Sequence, residues 1–153
     1  MSWRKPYLSV LARLPLTLLA LAILGASAGH ADILVIANPQ SDVAALSRQQ
    51  VVDIYMGRTS SFPNGRTAIA FDLKGEQPLR TTFYQQLVGK SVAQINAYWA
   101  RLLFTGSATP PLALKDSAMM LHMVQENRDA IGYVDSAEAT GKMKVMFRLE
   151  AVP

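Results

Sequence analysis

The sequence predicts an α/β fold: a mostly parallel sheet flanked by about four helices. Three observations carry this expectation. Short apolar runs alternate along the chain with segments of helical spacing. The first run, Ile33-Leu-Val-Ile-Ala37, is apolar at every position, as in a strand buried on both faces. Two helix starts carry a capping box, Ser47 with Gln50 and Ser91 with Gln94.

The elements follow in order. Asn38-Pro39 ends the first strand, because proline disfavours helix in the residue before it. A helix opening at Leu46-Ser47 turns Val51, Ile54 and Tyr55 inward and stops at Gly57. Phe62-Pro63-Asn64-Gly65 reads as a turn, with Asn-Gly suited to positive φ. Thr67 to Phe71 reads as the second strand. A helix over about 79–88 follows, with Pro78 suited to its first turn and Gly89 to its end. Leu79, Phe83 and Leu87 line one face of it. The third helix buries Val92, Ile95, Tyr98, Trp99 and Leu102 and ends near Gly106, and Pro110-Pro111 excludes helix after it. The fourth starts at Asp116 or Ser117 and carries Met119, Met120, Met123 and Val124. Ala130 to Val134 is a short buried strand, and Ser136 to Thr140 has room for one helical turn. The last strand alternates, with Val145, Phe147 and Leu149 on one face and Met146 and Arg148 on the other.

The chain divides into a leader over residues 1–31 and one domain over 32–153. Arg4, Lys5 and Arg13 precede an apolar stretch, Leu14 to Leu24, and small residues follow it. That stretch is well short of the about twenty residues a membrane span needs. Cleavage fits after Ala28 or after Ala31, and the second is preferred because strand-like sequence begins at once. The reading implies export to the periplasm and no stable membrane insertion after cleavage. The formal charge of +4 is then misleading, because the leader carries three of the fifteen basic residues. Twelve Lys/Arg against eleven Asp/Glu remain, scattered rather than striped, so nothing favours a nucleic-acid partner. The absence of cysteine excludes thiol catalysis and cysteine metal sites.

Signals for chemistry are few. His122 is the only histidine after the leader, and it stands among Met120, Leu121 and Met123. One histidine makes neither a metal cluster nor a nucleophile–base pair. No phosphate-binding P-loop or dinucleotide fingerprint is present. The methionines have core spacing, and Tyr98-Trp99 lies beside Ile95 and Leu102 as a core pair would. The chain is therefore expected not to be an enzyme, to need no cofactor and to bind no metal. In a parallel sheet, ligands bind beyond the carboxyl ends of the strands. Those ends carry Asn38 and Ser41, then Asp72, Lys74 and Gly75, then Asp135 and Ser136. Arg80, Thr81 and Thr82 fall in the first turn of the second helix, near free N–H groups and the positive end of its dipole. That combination suits an anion, although an ordinary surface helix start has the same pattern.

A resemblance sharpens this. Ile54-Tyr55-Met56-Gly57-Arg58 and Phe62-Pro63-Asn64-Gly65 are followed in order by Phe83-Tyr84, Leu87-Val88-Gly89-Lys90 and Tyr98-Trp99. Phe104-Thr105-Gly106, Pro110-Pro111 and Ala130-Ile131-Gly132-Tyr133-Val134 complete the series. The ordered set resembles phosphate-type periplasmic substrate-binding proteins of ABC importers, in particular a short single-lobe subgroup, over nearly all of the chain after the leader. The resemblance implies a solute-binding lobe of the type 2 periplasmic-binding-protein fold. It implies a small anion such as phosphate as ligand, and an ABC permease or another envelope protein as partner. The expected site is Asn38, Asp72, Lys74, Gly75, Arg80 and Thr81. Arg80 would supply charge, Thr81 a hydroxyl, and Asp72 an acceptor for the proton of hydrogen phosphate.

The chain departs from the family at the phosphate loop. The family's Ser-Gly-Thr is replaced by Gly75-Glu-Gln-Pro-Leu-Arg-Thr81. A carboxylate about 4 Å from an anion repels it by roughly 4 kcal/mol at an effective dielectric near 20. A helix dipole returns at most about 2 kcal/mol. Glu76 therefore opposes the anion unless it points away. A ligand-free interaction module of the cell envelope, built on the same lobe, is the alternative.

Overall fold

The computed structural model describes residues 31–139 and 141–151. The leader read over residues 1–31 lies, but for Ala31, outside the described residues, as does Thr140. Five strands and four helices are present among them: β1 (Ile33–Ala37), α1 (Arg48–Tyr55), β2 (Ile69–Leu73), α2 (Pro78–Val88), α3 (Val92–Phe104), β3 (Leu112–Leu114), α4 (Ser117–Glu126), β4 (Ala130–Asp135) and β5 (Lys144–Leu149). No helix among the described residues is long and apolar enough to cross a membrane.

Local chemistry sets the helix ends. Ser47 Oγ accepts the Gln50 N–H while Gln50 Oε1 accepts the Ser47 N–H, and Ser91 and Gln94 repeat both bonds. Pro78 is the first residue of α2, and Gly89 closes that helix at φ 66°, a conformation a side chain disfavours. Asp116 caps α4 by accepting the Met119 N–H at 2.9 Å.

The strands form one mixed sheet in the order β3-β2-β4-β1-β5. β2 runs parallel to β3 and to β4, whereas β1 runs antiparallel to β4 and to β5. Four strands thus point one way and β1 points the other. β1 lies between β4 and β5 and is buried at all five positions, as its unbroken apolar run requires. The reversal has a consequence for the site. The register Ile33↔Asp135 and Ala37↔Ile131 puts the carboxyl end of β1 at the amino end of β4.

Helices cover both faces. On one, a Cβ placed on Gly132 would lie 2.5 Å from Met120 Sδ, so the glycine lets α4 lie close against β4. The next residue, Tyr133, points to the other face and stacks on Phe83 of α2 at 3.8 Å and 5°. Tyr55 of α1 meets both of those rings edge-on. The result is a three-layer α/β/α arrangement with the core on either side of the sheet.

Four readings of the sequence are corrected. The second strand begins at Ile69 rather than Thr67 and includes Asp72, so Asp72 is a strand residue. β3 follows Pro110-Pro111 unannounced; it is three residues long, largely exposed, and held by parallel pairing to β2 at the sheet edge. In β5 the inward residues are Met146 and Leu149, and Val145 is exposed. The pairs Val35↔Phe147 and Ile36↔Val145 leave Met146 as an extra residue, a bulge that breaks the alternation. The Met146 carbonyl accepts the Leu46 N–H at 2.9 Å, which anchors the loop before α1 at the bulge. Met119 of α4 is exposed, so the methionines are not uniformly core residues.

Candidate functional site

The parallel strands bring Asp72 of β2 and Asp135 of β4 to the same edge of the sheet. Two clefts open there. The larger, about 600 Å³, lies between the starts of α2 and α4 and is lined by Pro78, Leu79, Thr82, Ser117, Asp135 and Glu138, among others. Its charged groups are Asp135 and Glu138, both acidic. A helix start faces this cleft, but carboxylates oppose an anion within it.

The second cleft, about 390 Å³, lies beside β2, α3 and the Pro110-Pro111 segment. Asp72, Lys74, Gly75 and Arg80 line it together with Asn96, Trp99 and Leu103. Its centre is a buried ion pair. Arg80 Nε donates to Asp72 Oδ2 at 2.9 Å, with side-chain exposures of 8% and 6%. Tyr84 donates to the same oxygen at 3.0 Å. Tyr133 donates to Oδ1 at 2.6 Å, and the Leu73 N–H donates to Oδ1 at 2.8 Å. Four donors occupy the roughly four lone-pair positions of the carboxylate. Asp72 is therefore saturated and has no acceptor site left for the proton of a bound acid.

The guanidinium is held just as firmly. Nη1 donates to the Gly75 carbonyl at 2.9 Å and Nη2 to Asn96 Oδ1 at 3.2 Å. Its carbon lies 5.5 Å from the centre of the Tyr84 ring. Of about five N–H donors, one on each Nη has no protein acceptor among the described residues. Lys74 is exposed at the rim and forms no ion pair among those residues. The cleft thus offers a fixed, partly used guanidinium and an exposed ammonium.

Burial, and then the charge of Asp72, push the phenols of Tyr84 and Tyr133 well above their ordinary range. Burial does the same to Tyr55, with Tyr84 and Asp72 adding to it. The phenols of Tyr84 and Tyr133 stay protonated, and so remain donors to Asp72.

The expected site residues divide. Asp72, Lys74, Gly75 and Arg80 come together. Asn38 does not: because β1 is reversed, it sits at the far end of the sheet. There its Nδ2 donates to the Val124 and Gln125 carbonyls at 3.1 and 2.6 Å, closing the end of α4. Ser41 lies at that end too. Thr81 is exposed on α2 and lines neither cleft, whereas Thr82 lines the acidic one. Glu76 is exposed and also lines neither. Sequence reasoning missed Tyr84, Asn96 and Tyr133. Only the spacing of Tyr84 from Arg80, four residues on one helix face, pointed to a partnership.

No family model matches the chain, and no curated protein sequence matches it. Solved structures do. An ABC-type phosphate transport receptor from Vibrio cholerae superposes with a TM-score of 0.59 at 17% identity, over 77% of this chain and 47% of the receptor. A protein named as a phosphate ABC transporter substrate-binding protein, from Clostridium perfringens with bound phosphate, gives 0.60 at 18%, over 77% and 46%. The chain spans less than half the length of these proteins. It shares the α/β fold of these two proteins, as a single partial lobe.

Proposed function

We propose that this chain is an exported solute-binding lobe of the importer type, without enzymatic activity, that holds phosphate or a similar small anion in the cleft beside Arg80. The observation that carries the reading is the geometry of Arg80. Asp72, Gly75 and Asn96 hold its guanidinium in one orientation at the cleft wall, with an N–H on each Nη to spare. Lys74 adds a second positive charge. A preorganised guanidinium binds an oxyanion at little entropic cost. The cleft is open and one lobe wide, so affinity on the order of millimolar is expected. An ABC permease is the natural recipient of the ligand, and the periplasm the compartment.

Isothermal titration of inorganic phosphate tests the reading. Lys74→Ala removes an exposed side chain and is expected to weaken binding about fivefold or more while leaving the fold intact. No heat at millimolar phosphate, or binding unchanged in both Lys74→Ala and Arg80→Lys, sinks it. N-terminal sequencing of exported protein tests the leader, and a retained Met1 would contradict cleavage.

One observation favours the alternative, a docking module of the envelope. Phe104 is 95% exposed at the end of α3, and Leu103 and Leu112 are each about half exposed. Exposed apolar clusters of this kind mark contact surfaces. Recovery of one envelope protein by the wild type but not by Phe104→Ser, with no anion heat, selects this reading.

A further inference from the structure

The cleft beside Arg80 has both polar and apolar lining. Lys74, Arg80 and Asn96 bring positive charge and an amide, while Trp99, Leu103 and Pro111 bring apolar surface. An inorganic anion would use the first group and leave the second uncovered. Leu103 is about half exposed on that wall, where covering it would be favourable. The indole N–H of Trp99 is buried without an acceptor among the described residues.

Resting on the anion-binding reading, we infer that the ligand is an amphipathic organic anion, with a small anionic head at Lys74 and Arg80 and a short apolar body against Trp99 and Leu103. The lining of the cleft calls for both halves. The two unclaimed N–H groups of the guanidinium match an oxyanion. The apolar wall then discriminates against a bare ion, since each methylene it buries raises affinity roughly fourfold. The volume of about 390 Å³ is near the lower end for ligand pockets, which limits the body to a few carbons.

Trp3 and Trp99 are the two tryptophans of the sequence, so Trp3→Phe in the full chain leaves Trp99 as the sole tryptophan emitter. That protein is titrated with inorganic phosphate, hexyl phosphate, hexanoate and hexanol, followed by Trp99 emission and by calorimetry. Hexyl phosphate is expected to bind at least tenfold more tightly than inorganic phosphate and to shift the Trp99 emission. Leu103→Gln is expected to shrink that advantage to below about threefold. Equal affinity for hexyl phosphate and inorganic phosphate overturns this inference and leaves the anion-binding reading standing. Hexanol binding as tightly as hexyl phosphate overturns the anionic head, and no saturable response to any probe overturns both readings.

Discussion

Arg80 donates from Nε to Asp72 Oδ2 at 2.9 Å, and the pair is buried where β2 gives way to the start of α2. The two residues are eight apart in the chain, so the contact closes the loop that carries Lys74 and Gly75. One pair thus holds the loop, satisfies a buried carboxylate and aims a guanidinium at the cleft.

Removing one member should be costly. Arg80→Met leaves Asp72 buried with only neutral donors, and a broken buried pair costs about 3–5 kcal/mol. Urea unfolding of Arg80→Met is expected to show a loss in that range. A loss below about 1 kcal/mol would mean that the pair is solvated in solution.

Alkaline pH should unfold the domain through its tyrosines. Tyr55, Tyr84 and Tyr133 have folded pKa values raised above the ordinary value of 10.0, so the folded state keeps protons that the unfolded state releases. Their contribution to stability is fully present below about pH 10 and is lost as pH rises above it, at up to about 1.4 kcal/mol per pH unit for each group. Phenolate absorbance from these three should appear only together with loss of circular dichroism. Smooth titration of these three phenols with the fold intact would contradict the burial of this cluster.

Gly57 should tolerate no side chain. Its φ is +68°, and a Cβ there would lie 2.5 Å from Cη2 of Trp99. Left-handed strain and displacement of a packed indole together cost about 2–4 kcal/mol. Gly57→Ala is expected to lose that much in urea unfolding and to alter the Trp99 emission, whereas Gly65→Ala, with open space around its Cβ, should lose only the backbone share.

The capping boxes offer a milder test. Ser91→Ala removes the acceptor for the Gln94 N–H at the start of α3 and should cost about 1 kcal/mol. Ser91→Asp should recover most of it. Unchanged stability in the alanine variant would show that the bond is replaced by water.

Much of the secondary structure was legible because its causes are local. Ser47 and Ser91 find their glutamines three residues away, Pro78 fits a helix start by its own ring, and Gly89 ends α2 by lacking a Cβ. The wholly apolar run of β1 announced an interior strand. The ordered short motifs named the fold that the solved structures share. Arg80 and Asp72 both stand out in the sequence as site candidates, one for its place in a first turn and the other for its place near a strand end.

The remainder depended on contacts between distant segments. No residue in Ile33–Ala37 states the direction of the strand, which is decided by pairing with β4 and β5 about a hundred residues later. That direction removed Asn38 from the site. The bulge at Met146 exists only in the register with β1, and β3 exists only because β2 offers it an edge. Tyr133 reaches Asp72 across 61 positions, and Asn96 reaches Arg80 from the neighbouring helix. The sequence by itself determined the helix boundaries, the interior strand and the residue types able to meet an anion, because caps and periodicity act over a few residues. The tertiary structure alone decided that Arg80 is committed to Asp72 and still faces a cleft, because burial and hydrogen-bond saturation are properties of the assembled layers.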